Sequence, residues 1–325
     1  MSRAGQIVVA GGGPAGLAAA AAAARRGASL LLYEEQPALG GQLRYRAQPV
    51  DVGEGVPAER PGELAARLVD VAVEAGAMIH TNALVAGRFG EGALLVAAPG
   101  GTRALTPEAF IVTTGSTDLP FPFPGATYPG VFSRRAVQIL LNQHRALPGR
   151  RFAIIGSGPE VDELEVDILL AGGEVVWRGI APPPVLRAEG EAGVRTLRVG
   201  DGVFDVDIVA IAVGRQADAA LATMAGAALA FSAELGGWVP VADERMATTA
   251  PRLFVAGDAA GAGSVAAALV EGHLAGVAAA AALGLASQDE VTRAREAGGP
   301  ELARRIGVRA ELTPAYQQPF AAKER

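Results

Sequence analysis

Ile7-Val8-Val9-Ala10-Gly11-Gly12-Gly13-Pro14-Ala15-Gly16 decides how the first part of the chain folds. The apolar residues read as a buried strand, which turns through Gly11-x-Gly13-x-x-Gly16 into an alanine-rich helix expected to reach about Arg26. A second strand, Ser29 to Glu34, ends on a carboxylate, with Glu35 beside it. In such a unit the first glycine permits the tight turn and the second lets the backbone approach a pyrophosphate. The third lets the helix pack closely on the strand. Pro14 and Ala15 open the helix, whose N-terminus offers unpaired N–H groups and a partial positive charge to phosphates. Glu34 follows Gly11 at about the 20-residue spacing expected of a carboxylate that holds ribose hydroxyls. Strand, turn, helix, strand and acid fall in order, so the expected ligand is a dinucleotide.

At 325 residues the chain has room for two domains of ordinary size. Half of it is hydrophobic and 19% is charged, which allows a large core and excludes global disorder. A net charge of −6 without any Lys/Arg cluster speaks against a nucleic-acid partner. The first strand begins about five residues from Met1, which leaves no room for a signal peptide, so a cytoplasmic location is expected. The apolar run Val265 to Leu285 is broken by Glu271 and His273 and reads as a buried helix, not a membrane span. Cysteine is absent, which removes a redox disulfide, a thiolate-ligated iron–sulfur cluster and a cysteinyl flavin bond from this chain. His80, His144 and His273 lie far apart, and no metal site is expected.

Further along, Gln36 to Gln42 is a tight glycine turn that would bring Gly41 and Gln42 close to a cofactor. Arg44 to Pro61 reads as a long loop, and Glu63 to Ala75 as a helix with an apolar stripe of Leu64, Leu68 and Val71. Short strands between Ala83 and Ala104 precede a strand from Ala109 that exits through Thr113-Thr114-Gly115. The alternating prolines of Leu119 to Gly125 forbid helix and sheet interior and mark an extended hinge. A helix is expected near Ser133 to Arg145. Arg151 to Pro159 then repeats the opening pattern, with further strands at Glu174 to Arg178 and Val206 to Val213. Leu235 to Pro240 reads as a turn leading back, Arg252 to Asp258 as the last strand of the first domain, and a long helix follows.

The expected fold is α/β, with two Rossmann-like dinucleotide-binding domains, the second inserted into the first. Residues 1–118 and 244–285 make the first domain and 119–243 the inserted one. Residues 286–325, charged and without a strong pattern, are expected to be a tail suited to subunit docking.

Gly257-Asp258 lies at the C-terminal end of a parallel strand, where open α/β sheets bind ligands. Asp258 is placed to hydrogen-bond ribityl hydroxyls, and Gly257 admits the chain of a flavin closely. The helix that begins near Ser264, with Val265 and Ala266 in its first turn, would aim its positive end at the pyrimidine side of the isoalloxazine and stabilise the anionic reduced flavin. The simpler alternative is a strand-end Asp that caps a helix.

The chain resembles the two-dinucleotide-fold flavoproteins, the class of thioredoxin reductase and ferredoxin reductases. It is most similar to the FAD-binding alpha subunits of heteromeric amino-acid and opine dehydrogenases, such as octopine and nopaline oxidases, hydrogen cyanide synthase, D-hydroxyproline dehydrogenase and archaeal L-proline dehydrogenase. The matching segments are GGGPAGLAAA, LLYEEQPALGGQLRYR, FPFPGATYPGVFSRRAVQILLNQ, IIGSGP, LGGWVPVADERMATTAPRLFVAGDAAG and VEGHLAG, which span roughly residues 6–285. The resemblance implies that Gly11, Gly13, Gly16, Glu34, Gln42, Gly257 and Asp258 hold FAD. It also implies that the strand end carrying Thr114 and Gly115 passes beside it, although a plain strand exit is the alternative. Two departures matter. Longer relatives carry a cysteine-rich module for a [2Fe-2S] cluster, which this chain lacks, so any cluster belongs to another subunit. Thioredoxin reductases need a CxxC disulfide, and its absence removes that activity.

The inserted domain is a degenerate nicotinamide site by its sequence. Val161 stands at the third glycine position, Gly179 where the ribose carboxylate belongs, and Glu160 and Asp162 put negative charge in the first helical turn. Arg178 would suit a 2′-phosphate or simply be solvated. An adenine nucleotide, NAD(P) or ATP, is the ligand this domain would take. The acidic helix Glu160 to Asp167 reads as a solvated or interface face, His273 as a helix-surface or interface residue, and Trp177 and Trp238 as packing residues. No substrate base is identifiable, so no catalytic residue is assigned.

The resemblance therefore implies an FAD-containing electron-transfer subunit of a heteromeric amine or amino-acid dehydrogenase. Its expected partners are a small [2Fe-2S] subunit, plus a companion FAD-containing subunit that oxidises the substrate. The alternatives are a free-standing NAD(P)H-dependent flavin reductase, or one member of a complex whose nucleotides are purely structural.

Overall fold

The computed structural model describes residues 5–90, 92–182 and 185–317, with side chains as far as 312. The chain forms two units. One comprises Met1–Arg44, Val50–Ser116 and Gln216–Arg325, the other Tyr45–Pro49 and Thr117–Arg215.

The first unit opens with β1 (Gln6–Ala10), whose Ile7, Val8 and Val9 are fully buried, as strands covered on both faces must be. α1 (Pro14–Ala24) is apolar all round and correspondingly buried. β2 (Ser29–Tyr33) is followed by a short 3-10 helix, Gly41–Tyr45, and by α2 (Pro61–Glu74), which buries Leu64, Leu68 and Ala72. After β3 (Met78–His80), the antiparallel strands β4 (Leu84–Phe89), β5 (Ala93–Ala98) and β6 (Gly101–Leu105) form a separate small sheet. β7 (Ala109–Val112) rejoins the main sheet, and β8 (Ser116–Asp118) carries the chain out of the unit.

The second unit begins with β9 (Val131–Ser133) and α3 (Arg134–Gln138), which Ser133 caps by accepting from Ala136 N. The helix expected as far as Arg145 continues as a π-helical stretch, Ile139–Gln143. β10 (Arg151–Gly156), α4 (Pro159–Leu170) and β11 (Glu174–Gly179) repeat the opening strand–turn–helix–strand pattern. An antiparallel sheet then follows, of β12 (Leu186–Glu189), β13 (Thr196–Val199) and β14 (Gly202–Asp205). β15 (Ile208–Ala212) closes a parallel sheet of order β11-β10-β15-β9. The unit has its own core, with Leu186 and Leu197 in one cluster and Phe152, Val161 and Ile168 in another.

β16 (Arg215–Ala217) brings the chain back, followed by α5 (Ala220–Met224), β17 (Leu229–Ser232), β18 (Gly237–Pro240) and β19 (Leu253–Val255). β19 completes an all-parallel sheet of order β19-β7-β1-β2-β3. α6 (Val265–Ala282), α7 (Gln288–Glu296) and α8 (Gly299–Gln317) end the described chain. α6 is long and apolar enough to cross a membrane, yet it is largely buried against α1. Its Gly272 and Gly276 press on α1 so closely that a Cβ on either would lie 2.2 and 2.3 Å from the carbonyl oxygens of Ala15 and Ala19.

Three expectations differ from this arrangement. The return to the first unit falls at 215/216 instead of 243, because Leu221 and Ala222 of α5, and Ala225 just after it, bury themselves in the first unit's core. Gly237–Pro240, read as a turn, is strand β18 paired antiparallel with β17, so the turn is confined to residues 233–236. The supposedly patternless tail is helical through 317, and Val291, Ala294 and Leu302 join the first unit's core. A capping box between Ser287 and Glu290 starts α7.

Candidate flavin site

The three glycines of the first turn are there for different reasons. Gly11 has φ of +108°, and a Cβ on it would sit 2.4 Å from Thr113 O. A Cβ on Gly16 would lie 1.9 Å from Gly11 O, so the helix and strand meet there only without a side chain. Gly13 caps α1 in an ordinary extended conformation, and a Cβ on it would find nothing closer than Gly41 Cα at 3.8 Å. Neither the fold nor the backbone demands glycine at 13. Open space above an uncapped helix N-terminus is what a diphosphate needs, so the residues present fit the pyrophosphate of a dinucleotide. Pro14 occupies the first helical turn and Ala15 is buried beneath it.

Glu34 is buried at the end of β2. Its Oε2 accepts from Gly12 N at 2.6 Å and its Oε1 from Gln36 N at 2.8 Å, which fixes the carboxylate next to the glycine turn, where ribose hydroxyls would reach it. Tyr33 stacks on His80, ring centroids 5.2 Å apart, and closes the sheet behind this acid. Burial and Arg103 hold the His80 pKa below its usual value. Glu35 is exposed and accepts from Gln36 Nε2 at 3.4 Å, so it stands outside this cluster.

Asp258 leads the second half of the site. Gly257 has φ of +68° and abuts Ala15, where a Cβ would meet the Ala15 Cβ at 2.7 Å. The Asp258 Oδ2 accepts from Gln42 Nε2 and from Ser116 Oγ, both at 2.8 Å, and its Oδ1 accepts from Gly263 N at 3.0 Å. Gln42 also donates to Ser116 at 3.0 Å. Gly41, with φ of +52°, packs against Gly13, and Gly40 N donates to Gly12 O, so the Gln42 turn is tied to the phosphate turn. Ser264 caps α6 by accepting from Ala267 N, which leaves Val265 and Ala266 half-exposed in the first turn. Gly115 has φ of +85° with open space about it, whereas Thr114 turns its hydroxyl away to Asp218 O. The neighbouring Thr113 bonds the carbonyls of Ala10 and Gly11 and so braces the turn from below.

These elements, in this order on a parallel sheet, fit the two ends of an FAD. The chain has the fold of two dinucleotide-binding units, one inserted into the other. Residues 6–91 match the FAD dependent oxidoreductase family model, and residues 181–288 match that of the pyridine nucleotide-disulphide oxidoreductases. An opine oxidase subunit of Agrobacterium tumefaciens (strain Ach5) is 28% identical over 273 residues, covering 70% of this chain and 54% of its own length. The corresponding opine oxidase subunit of Rhizobium meliloti is 25% identical over 232 residues, covering 58% and 44%. The chain thus spans about half the length of the relatives it matches. Among solved structures, L-proline dehydrogenase from P. horikoshii superposes with a TM-score of 0.77 at 24% identity, over 91% of this chain and 60% of that one. Lactococcus lactis thioredoxin reductase superposes with 0.68 at 18% identity, over 86% and 98%.

The inserted unit keeps the form of a nucleotide turn but alters its charges. A Cβ on Gly156 would lie 2.1 Å from Ala212 O, while one on Gly158 would meet nothing. Val161, at the third glycine position, is buried in the unit's core. Glu160 accepts from Arg215 Nε at 2.6 Å and lies 3.6 Å from Arg134 Nε, so its charge is countered within the protein. Arg178 donates to Asp162 at 2.9 Å and to Glu165, which engages the guanidinium on the acidic helix. Gly179 pairs with Ile155 at the end of β11, and no carboxylate stands there.

Sequence reasoning missed Ser116 and the two arginines that pair with Glu271. His273, eight residues into α6, lies beyond the first turn, and Trp238 is exposed against Phe231 instead of packed in a core.

Proposed function

We propose that this chain is the FAD-containing electron-transfer subunit of a heteromeric dehydrogenase for a proline-, hydroxyproline-, opine- or sarcosine-like amine or amino acid. A companion FAD-containing subunit oxidises the substrate, and a small [2Fe-2S] subunit belongs to the same cytoplasmic assembly. FAD supplies the electron-exchange chemistry. The chain's residues bind and orient it: the Gly13 turn and α1 hold the diphosphate, Glu34 the ribose, and Asp258 with Gln42 and Ser116 the ribityl side. The first turn of α6 favours negative charge on the pyrimidine side.

The observation that carries this reading is the hydrogen-bond set in which Gln42 and Ser116 both donate to Asp258 and Gln42 also donates to Ser116. Among the described residues no group of His, Cys, Asp or Glu is arranged to hold a metal. Such a site suits a group that receives and passes electrons more than one that deprotonates a substrate. The likeness to proteins named as one subunit of an opine oxidase supports the same view.

Isolation from the native source tests it. The chain should co-purify with a second flavoprotein, and amine should reduce its FAD only in that company. Sedimentation as this chain alone, with full amine-dehydrogenase turnover, would refute the reading. The open Gly158 turn favours the second reading, an NAD(P)H-dependent flavin reductase. Rapid NAD(P)H bleaching of the isolated chain would establish that one instead.

A further inference from the structure

Glu271 is fully buried in α6, and α8 delivers two equally buried arginines to it. Its Oε1 accepts from Arg305 Nε at 2.6 Å and from Arg309 Nη2 at 2.7 Å, while its Oε2 accepts from Gly257 N at 3.0 Å. The arginines reach further. Arg305 donates to the carbonyls of Gly261 at 2.7 Å and Ala262 at 3.0 Å, and Arg309 to that of Ala260 at 3.2 Å. Arg305 also fills the space beside Gly263, where a Cβ would lie 2.7 Å from its Nη1. Gly263 N is in turn a donor to Asp258.

We infer that Arg305 and Arg309 of α8, acting with Glu271, are positioning residues for the flavin: they fix the Gly257–Gly263 segment and set a net positive charge behind it. The inference rests on FAD occupying the site described above. Burying two guanidinium groups for one carboxylate is not an efficient route to stability, and breaking even with hydrophobic isosteres is the usual outcome. Arg309 Nε has no hydrogen-bond partner, a cost that packing alone does not explain. What the arrangement achieves is specific. Each carbonyl from 260 to 262 is held from α8, Gly257 is held through Glu271, and Asp258 lies between these ties. Glu271, Arg305 and Arg309 together carry one net positive charge, which would favour an electron-rich flavin held by this segment.

The test uses the full-length holoprotein. Arg305→Lys keeps the charge and loses the planar fork, so FAD dissociation should rise on the order of tenfold, the effect of losing a charge-assisted hydrogen bond, with little change in midpoint potential. Arg309→Gln removes one charge and should lower the midpoint potential. Folded variants with unchanged FAD affinity and potential would overturn the inference. Should either variant fail to fold, the wild-type protein decides. Adding FAD to the flavin-free chain should slow hydrogen exchange at 302–312 together with 257–263, because coupling between sites is reciprocal. Unchanged exchange in α8 would overturn the inference equally. A wild-type chain that binds no FAD refutes the site itself, which this titration detects first.

Discussion

Gly41 faces Gly13 so closely that a Cβ on Gly41 would meet the Gly13 Cα at 2.9 Å, whereas a Cβ on Gly13 would find no atom nearer than 3.8 Å. The two glycines therefore answer to different demands. Gly13→Val is expected to fold normally and lose FAD, because its side chain fills ligand space alone. Gly16→Val, with backbone 1.9 Å from its Cβ, is expected not to fold. Flavin-to-protein ratio and far-ultraviolet circular dichroism check both. A yellow Gly13→Val protein of full flavin content would refute the assignment of the turn.

Burial alone would raise the Glu271 pKa, but Arg309 and Arg305 outweigh it and hold the carboxyl below its usual value. A depressed acid contributes stability that is present above its unfolded pKa, about 4.3, and is lost as pH falls through the lower folded value. Glu271→Gln should remove that acid limb and destabilise the protein by about 3 kcal/mol at neutral pH, since it leaves buried guanidinium charges uncompensated. Thermal unfolding from pH 7 to 3 in both proteins measures this, and superimposable curves would contradict it.

Asp167 behaves in the opposite sense. Burial raises its pKa despite hydrogen bonds from Gln138 and Asn142, and its Oδ1 has no partner. Stability from a raised acid is present below its unfolded pKa and lost as pH rises through the folded one. Asp167→Asn is expected to stabilise the inserted unit by about 1 kcal/mol at pH 7, with the gain shrinking in acid. A variant less stable at pH 7 than the wild type would count against this account.

NAD(P)H is expected to bleach the flavin slowly or not at all, given Val161 at the third glycine position and the missing strand-end acid at Gly179. Arg178→Ala should leave any NADPH-over-NADH preference unchanged, because Asp162 and Glu165 already engage that guanidinium. Stopped-flow absorbance at the flavin band measures both. A preference that disappears in the variant would give Arg178 a phosphate to bind.

What was legible in the sequence was local. Gly11, Gly13, Gly16 and Glu34 announce themselves through spacing within one strand–turn–helix–strand unit, and Asp258 through the strand that precedes it. The prolines at 119–125 are the one strong break in that region of the sequence, and the first unit's chain leaves at Thr117. No comparable punctuation marks the return at Gln216, so small apolar residues of α5 were assigned to the wrong unit. The α8 contacts were hidden for a different reason. Glu271 meets Arg305 and Arg309 across 34 and 38 residues, and the inward face of the helix is charged where a hydrophobic pattern would be sought.

The contact between Gly272 and Gly276 of α6 and the carbonyls of α1 joins segments from opposite ends of the chain. During synthesis α1 emerges early and stays without its main packing partner until α6 has left the ribosome. Residues 117–215 are complete well before that and have their own sheets and cores. Domains fold as units, and non-local pairing is slow. The inserted unit is therefore expected to be protease-resistant on stalled nascent chains that end near 260, while β1 and α1 are still cut. The segment that carries the phosphate turn is made before its main packing partner and waits for it to become structured.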